Sequence, residues 1–243
     1  MNTVANPTII SKIATTITSM DGSRVHYDPA AQESTQAVYR PSESLNFHPE
    51  AEQLVRKCFS EGLYRHQHEA ISRILENANT VVATRTSSGK SLIYSLPIVN
   101  ELCCNADATS LFLYPQKALA NDQLLKLREF AELTPSIAAM TSVRPHLISR
   151  YDGATPKAIR SQVRSEAQAI LTNPDMLHYA MLQYHDSHWA RFFANLKHVV
   201  IDECHEYRGI FGSNVSHIIR RLRQVCQIHG SDPTFVATSA TIH

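Results

Sequence analysis

The stretch Thr84-Arg85-Thr86-Ser87-Ser88-Gly89-Lys90-Ser91 decides the fold of this chain. It has the spacing of a phosphate-binding loop, in which backbone N–H groups surround the phosphates, a lysine reaches the outer ones and a serine hydroxyl contacts Mg²⁺. An apolar run over residues 80–83 predicts a buried strand before the loop, and the apolar residues after Ser91 predict a helix behind it. Because the mechanism requires this order of strand, loop and helix, we expect residues 84–91 to bind ATP, with Ser91 as a Mg²⁺ ligand.

The carboxylates that such a loop lacks follow a second apolar run. Val199-Val200-Ile201 predicts a buried strand, and the adjacent acids Asp202 and Glu203 stand at its carboxyl end. We expect Asp202 to hold Mg²⁺, directly or through water, and Glu203 to orient or deprotonate the attacking water. The plainer alternative is that the two acids only cap the turn that follows.

Short apolar runs alternate with longer amphipathic ones along most of the chain. This alternation predicts a doubly wound α/β fold with a mostly parallel sheet and helices on both faces. In such sheets ligands collect at the carboxyl ends of the strands, where the phosphate loop and the two acids both fall. The predicted strands cover residues 80–84, 110–114, 137–141, 169–172, 198–202 and 234–238. The clearest predicted helices cover residues 50–59, 67–75, 121–130, 175–183 and 215–228.

The composition of the 243 residues narrows the class of protein. A hydrophobic fraction of 43% is ample for a buried core, and a formal net charge of +1 gives no general basic field, so any nucleic-acid contact must be local. No run approaches the roughly 18 apolar residues that a membrane span needs, so no membrane partner is expected. The five cysteines form no C-x-x-C pair, which suits a reducing intracellular compartment without separating cytoplasm from nucleus. Zinc binding by Cys204, His205 and Cys226 fits no common ligand spacing.

The first 46 residues differ from the rest of the chain. They are polar, contain Pro7, Pro29 and Pro41, and show no sustained period of 2 or 3.6 residues. Helical spacing begins after Pro49. We therefore predict an N-terminal extension over residues 1–46 and one globular domain over residues 47–243.

Two further motifs make the chain resemble the first RecA-like lobe of superfamily 2 helicases of the DEAD/DEAH-box type. They are Asp202-Glu203-Cys204-His205 and Ser239-Ala240-Thr241. Residues 111–123, 151–153, 171–178 and 207–213 narrow the resemblance to the MrfA branch, RecQ-four-like DNA helicases linked to repair of mitomycin-type damage. The run Tyr-Arg-Gly-x-Phe-Gly-Ser over residues 207–213 is the most specific of these, and the resemblance extends from about residue 47 to the end of the sequence.

The resemblance implies roles around the nucleotide. Gln67 resembles the glutamine that contacts the adenine edge, and the alternative is a helix glutamine that faces solvent. Lys90, Asp202, Glu203 and His205 match the catalytic positions of the family. Ser239 and Thr241 match the hydroxyl pair that couples the nucleotide site to movement of the lobes, through hydrogen bonds near His205. The implied cofactors are ATP and Mg²⁺.

The resemblance also implies two loops that contact a nucleic acid, which we expect to be DNA. One holds Pro115, Gln116 and Lys117, and the other holds Thr172-Asn173-Pro174-Asp175, which opens a helix. The alternatives are a solvated lysine in the first loop and simple helix caps at Asn173 or Asp175. Gln116 stands where the branch usually has threonine, and Cys204 stands where alanine is common.

Two groups of large side chains could either contact a nucleic acid or serve the fold alone. We expect core packing rather than base stacking for an apolar group with helical spacing: Trp189, Phe192 and Phe193. We expect a solvated helix face for a basic group: Arg220, Arg221 and Arg223.

Helicases of this kind need a second RecA-like lobe, whose arginine completes the charge around the transition state. The 243 residues contain one lobe, so we expect a helicase fragment or truncated form that depends on a second lobe in cis or from a partner. The alternative is a non-catalytic regulatory module that binds DNA or a partner without unwinding. A small P-loop kinase or GTPase would need an acceptor site or a guanine-reading motif, and the sequence has neither.

Overall fold

A parallel β-sheet organises the described part of the chain, which in this computed structural model comprises residues 24–26, 38–84 and 88–240. The strands are β1 (Arg24–His26), β2 (Tyr39–Arg40), β3 (Leu63–Tyr64), β4 (Thr80–Ala83), β5 (Thr109–Leu113), β6 (Ile148–Arg150), β7 (Ala169–Thr172), β8 (Leu196–Ile201) and β9 (Thr234–Ser239). Within these residues the main sheet has seven strands in the order β1-β4-β9-β8-β5-β7-β6, and every neighbouring pair is parallel. Strands β2 and β3 form a separate antiparallel pair. The doubly wound α/β prediction is therefore confirmed.

Helices cover both faces of the sheet. They are α1 (Pro49–Cys58), α2 (Arg65–Leu75), α3 (Lys90–Cys104), α4 (Lys117–Glu132), α5 (Pro135–Val143), α6 (Arg160–Glu166), α7, α8 (Ala190–Ala194) and α9 (Gly209–His229). Helix α7 is composite: an α-turn over Pro174–Met176, a π-helical turn over Leu177–Met181 and a 3₁₀ turn over Leu182–Tyr184. None of the described helices has the length and apolar content that crossing a membrane requires.

Two hydrophobic cores hold the layers together. Helices α1 to α5 pack on one face of the sheet, where Phe112 and Val200 are buried. Helices α6 to α9 pack on the other face, over Val199 and Ile201. The predicted aromatic group is part of this second core, since Trp189 and Phe193 are at most 1% exposed and the indole N–H donates to a backbone carbonyl. Core packing is thus confirmed over base stacking for these rings.

One predicted strand is wrong. Residues 137–141 lie in helix α5, which starts with Pro135 in its first turn, where the missing N–H of proline costs nothing. The carbonyl oxygen of Thr134 accepts the first helical hydrogen bond, from the N–H of Ala138 at 2.9 Å. The strand in this part of the chain is β6, whose sequence Ile-Ser-Arg is too short and polar to show as an apolar run. As the last strand of the sheet it pairs only with β7 among the described strands, so its sequence need not be apolar throughout.

Part of the predicted extension also has regular structure. Residues 24–26 add a parallel strand beside β4, with Arg24 opposite Thr80. Tyr39 pairs with Tyr64 across the small sheet, and Leu45 is buried in the core under α1 to α5. These residues escaped prediction because each element is only two or three residues long and shows no measurable period. The division at residue 46 stays a prediction.

A histidine in the central strand β8 makes stability depend on pH. His198 is 5% exposed, and burial lowers its pKa from 6.5 to about 4. Its Nδ1 has no hydrogen bond partner. Between about pH 6.5 and 4 the unfolded chain therefore binds a proton that the folded chain does not, so stability falls as the pH falls.

We predict that His198 costs about 2 kcal/mol of folding free energy between pH 7 and pH 5. In the His198→Asn variant this loss should be absent, because the new side chain does not titrate. Urea unfolding at both pH values measures it, with the exposed His188→Asn on the same chain as the control. A His198→Asn variant that loses as much stability between the two pH values as the wild type would contradict the prediction.

Candidate nucleotide and nucleic-acid site

The two predicted ATP motifs meet at the carboxyl edge of the sheet. The phosphate loop follows β4 and the acids follow β8, and only β9 lies between these strands. Backbone hydrogen bonds extend the sheet into both loops: Thr84 N–H donates to the Ser239 carbonyl at 3.2 Å, and Asp202 N–H donates to the Leu113 carbonyl at 3.0 Å. The sheet therefore fixes the distance between the motifs, as parallel topology predicts.

The phosphate loop is held by its own polar groups. The hydroxyl oxygens of Thr84 and Ser88 lie 2.5 Å apart, and Lys90 Nζ donates to the Thr84 carbonyl at 3.1 Å. Gly89 caps helix α3 with a φ of +75°, a left-handed conformation that favours glycine. Helix α3 begins at Lys90, so its N-terminus and positive dipole end face the loop. Arg85, Thr86 and Ser87 lie outside the described residues.

Gln67 supports the loop from helix α2. Its Oε1 accepts the N–H of Tyr64 at 3.0 Å, and its Nε2 donates to the Gly89 carbonyl at 3.3 Å. A Cβ at Gly89 would lie 2.4 Å from Nε2, so no larger residue fits there unless Gln67 moves. Gln67 is only 4% exposed, which makes the alternative of a solvent-facing glutamine wrong. A cavity of about 370 Å³ opens beside it and reaches Gly89 and Ser91.

Asp202 is a buried carboxylate with two hydroxyl partners. It is 5% exposed, Thr238 Oγ1 donates to its Oδ1, and the Tyr94 hydroxyl donates to its Oδ2 at 3.5 Å. Burial raises its pKa above the ordinary aspartate value, while the Thr238 hydrogen bond and the charge of Lys90 act in the opposite direction. The carboxylate is thus desolvated and lies within the field of the loop lysine.

Glu203 and His205 form an incompletely bonded pair beside Asp202. Glu203 has a φ of +47°, a left-handed conformation that costs a residue with a side chain about 1–3 kcal/mol. Its Oε2 lies 3.2 Å from His205 Nδ1, yet both atoms are buried without a hydrogen bond. Glu203 makes no side-chain cap to the turn Cys204–Glu206, so the capping alternative finds no support. Buried polar atoms of this kind are normally satisfied by a ligand or water.

Ser239 lies between the two loops. It is fully buried, and its carbonyl accepts the Thr84 N–H described above. Burial raises the pKa of the Cys204 thiol to about 12, and a hydrogen bond with the Ser239 side chain partly offsets this rise. Ser239 therefore touches the phosphate loop through its backbone and the residue next to His205 through its side chain. Thr241 lies outside the described residues.

The first predicted nucleic-acid loop joins β5 to α4 at the same edge. Pro115 is partly buried, Gln116 is exposed, and Lys117 is the first residue of α4. Gln116 makes no side-chain cap to the helix, so it leaves the first N–H groups of α4 without a bond from its side chain.

The second predicted loop joins β7 to α7, and here the structure separates its residues. Thr172 is buried and its hydroxyl donates to the Tyr151 carbonyl at 2.7 Å, so its side chain is not available to a ligand, contrary to expectation. Asn173 Oδ1 accepts the Met176 N–H at 2.9 Å, as the cap alternative predicts. Asp175 is exposed.

Sequence reasoning missed the two residues that bond Asp202. Tyr94 follows Lys90 by four positions on α3, so the helical period places both side chains on one face, and that spacing could have revealed it. Thr238 directly precedes Ser239 in β9, but its contact with Asp202 depends on the pairing of β9 with β8, which no local pattern encodes.

Comparison with known proteins agrees with this geometry. The family model described as DEAD/DEAH box helicase matches residues 64–243. The "Uncharacterized ATP-dependent helicase YprA" of Bacillus subtilis is 44% identical over 74% of this chain and 23% of its own length. The "ATP-dependent helicase hrq1" of Schizosaccharomyces pombe is 36% identical over 90% of this chain and 20% of its own length. The chain thus spans about a quarter or less of these relatives.

Solved structures give the same result. The crystal structure of the DUF1998 helicase MrfA bound to DNA and AMPPNP superimposes with a TM-score of 0.77 at 39% identity, covering 85% of this chain and 28% of that one. The DEAD-box helicase Mss116 bound to single-stranded RNA reaches a TM-score of 0.68 at 16% identity over 91% of this chain and 43% of its own, a likeness of fold alone. The chain belongs to the DEAD/DEAH box helicase family, and its described residues form a RecA-like lobe of the MrfA type.

Proposed function

We propose that this chain is the ATP-binding lobe of an ATP-dependent DNA helicase. The observation that carries the proposal is the placement of Lys90 and Asp202 after strands β4 and β8, which only β9 separates, close enough for the lysine charge to oppose the rise in the pKa of Asp202 that burial causes. Binding of a nucleotide with Mg²⁺ needs a cation for the phosphates and an oxygen ligand for the metal. Lys90 can supply the cation and Asp202 the oxygen ligand.

The residues present fit ATP and Mg²⁺. Ser91 and Asp202 offer hydroxyl and carboxylate oxygens, the donors that Mg²⁺ prefers. Lys90 is 8% exposed and would exchange its bond to the Thr84 carbonyl for a phosphate oxygen. The metal would neutralise phosphate charge, and the loop N–H groups over residues 84–91 would surround the phosphates. Gln67 would meet the adenine from the cavity beside Gly89 while its other bonds hold the loop.

Glu203 and His205 are the proposed hydrolytic pair. The buried Glu203 Oε2, which has no hydrogen bond, could accept one from the attacking water, and His205 lies close enough to orient the carboxylate. Ser239 links this pair to the phosphate loop, which supports the coupling role proposed for Ser239 and Thr241.

DNA is the proposed nucleic acid. The printed description of the MrfA structure names DNA, and the proposed contact residues lie at the same sheet edge as the nucleotide site. They come from the starts of α4 and α7: Pro115, Gln116, Lys117, Asn173 and Asp175. Since the net charge is +1, the contact must rest on helix N-termini and local polar groups.

Unwinding requires a second RecA-like lobe, in cis or from a partner. An arginine supplied across the cleft contributes about 10³ to 10⁵ in rate to related phosphoryl transfers. The competing proposal is a regulatory module that binds DNA or a partner without catalysis. The two proposals differ in whether Glu203 supports hydrolysis.

We predict that Lys90→Ala abolishes stabilisation by ATP. At an ATP concentration of about 100 times Kd, the wild type should gain about 2.7 kcal/mol, and the variant should gain nothing because the phosphate charge is unpaired. Without nucleotide the variant should lose only about 1 kcal/mol, the worth of the hydrogen bond to Thr84. Thermal unfolding with and without MgATP measures both, with the exposed Lys57→Ala as the control. Equal stabilisation of Lys90→Ala and wild type would remove the phosphate loop assignment.

We predict that Glu203→Gln keeps ATP binding and loses hydrolysis. Loss of a positioned base should slow single-turnover hydrolysis by about 100-fold or more. Glu206→Gln is the matched control, because Glu206 also lies near His205, at 3.4 Å from its Nε2, but is exposed. Hydrolysis that continues unchanged in Glu203→Gln would assign the base elsewhere, and no hydrolysis in wild type even with DNA and a second lobe supplied in trans would favour the regulatory module.

A further inference from the structure

A polar groove outside the nucleotide site lies between helices α7 and α9. It encloses about 400 Å³, within the range of about 300–1,000 Å³ typical of pockets for small ligands. We call it the α7–α9 groove. Its polar lining comprises Asp175, His178 and Tyr179 from α7 and Asn214, His217 and Arg221 from α9.

Helical spacing explains why these side chains converge. On α9, positions 214, 217 and 221 share one face, and on the composite helix α7 positions 175, 178 and 179 line the groove across the junction of its α and π turns. Ile218 is the sole aliphatic side chain in the described lining and is itself nearly buried. The groove is therefore too polar for an amphipathic helix, which binds through apolar anchors.

Two features indicate that the groove is incomplete without a ligand. Tyr179 lines the groove and is 61% exposed, so much of its ring is open to solvent. His178 lines the groove, and its Nδ1 is buried without a hydrogen bond partner, although buried polar atoms are normally satisfied.

The groove continues the proposed DNA contact. Asp175 belongs both to the loop that follows β7 and to the groove lining. Helix α9 starts just beyond β8, so both walls begin at the carboxyl edge of the sheet where the nucleotide motifs lie. The groove and the proposed DNA loop after β7 therefore share Asp175.

We propose that the α7–α9 groove holds one nucleotide of single-stranded DNA, an inference that rests on the proposed function. The base stacks on the Tyr179 ring, and the Asn214 amide bonds its polar edge. Arg221 pairs with a phosphate, and His217 adds a second donor to it. One nucleotide offers a base face to the Tyr179 ring, a base edge to the Asn214 amide and a phosphate to the Arg221 cation.

Fluorescence anisotropy of labelled oligo-dT measures its binding to the 243-residue chain and tests the proposal. A non-hydrolysable ATP analogue is present throughout. Tyr179→Leu should weaken binding about 10-fold, and Tyr179→Trp should restore it, because stacking needs a π face rather than tyrosine itself. Tyr184→Leu is the matched control, an exposed tyrosine in the same composite helix that does not line the groove. Tyr179 is exposed and lies outside the buried core, and binding of the ATP analogue verifies that each variant is folded.

Salt dependence tests the phosphate contact separately. Arg221→Gln should reduce the slope of log K against log salt by about one, whereas Arg220→Gln, the same charge change on an exposed neighbour, should not. Wild type that fails to bind oligo-dT would overturn the DNA proposal and this inference together. Wild type that binds while Tyr179→Leu and Arg221→Gln bind equally well would overturn the groove alone.

Discussion

The structure depends on one electrostatic constraint: a carboxylate must stay buried at the end of a central strand. Removing Asp202 from water raises its pKa, and the chain offsets that cost with the Thr238 hydroxyl and the charge of Lys90. Thr238 lies on β9, which pairs with β8, and Lys90 follows β4 on the other side of β9, so the sheet order β4-β9-β8 brings both partners to Asp202. The order of the strands therefore supplies the partners that the buried carboxylate needs.

The same edge of the sheet holds features that would be costly elsewhere. Glu203 adopts a left-handed backbone conformation, and its Oε2 and His205 Nδ1 are buried without hydrogen bonds. These features lower the stability of the fold. Their presence beside the phosphate loop indicates a site organised for a ligand. Gln67 belongs to this arrangement, since its amide fills the space that any side chain at Gly89 would need.

The sequence predicts the elements and motifs that a local pattern encodes, and it misses the contacts that depend on which strands pair. Central strands such as β5 and β8 are buried on both faces, so they appear as apolar runs, and the loop and acid motifs are contiguous. The edge strands β1 and β6 are short and polar, so they show no apolar run. Residues 137–141 of α5 are wrongly predicted as a strand because their apolar residues show no helical period. Thr172 was expected to contact nucleic acid, but its bond to Tyr151 arises from the neighbouring strand β6, which the sequence did not reveal.

Asp202 is the proposed Mg²⁺ ligand beside the phosphate loop. Calorimetric titration of ATP with Mg²⁺ and with EDTA tests this role most directly, in wild type, in Asp202→Asn and in the exposed control Asp122→Asn. We predict that Mg²⁺ tightens ATP binding in wild type and in Asp122→Asn, and that Asp202→Asn binds metal-free ATP normally but gains nothing from Mg²⁺. An Asp202→Asn variant that keeps the full Mg²⁺ enhancement would contradict the account.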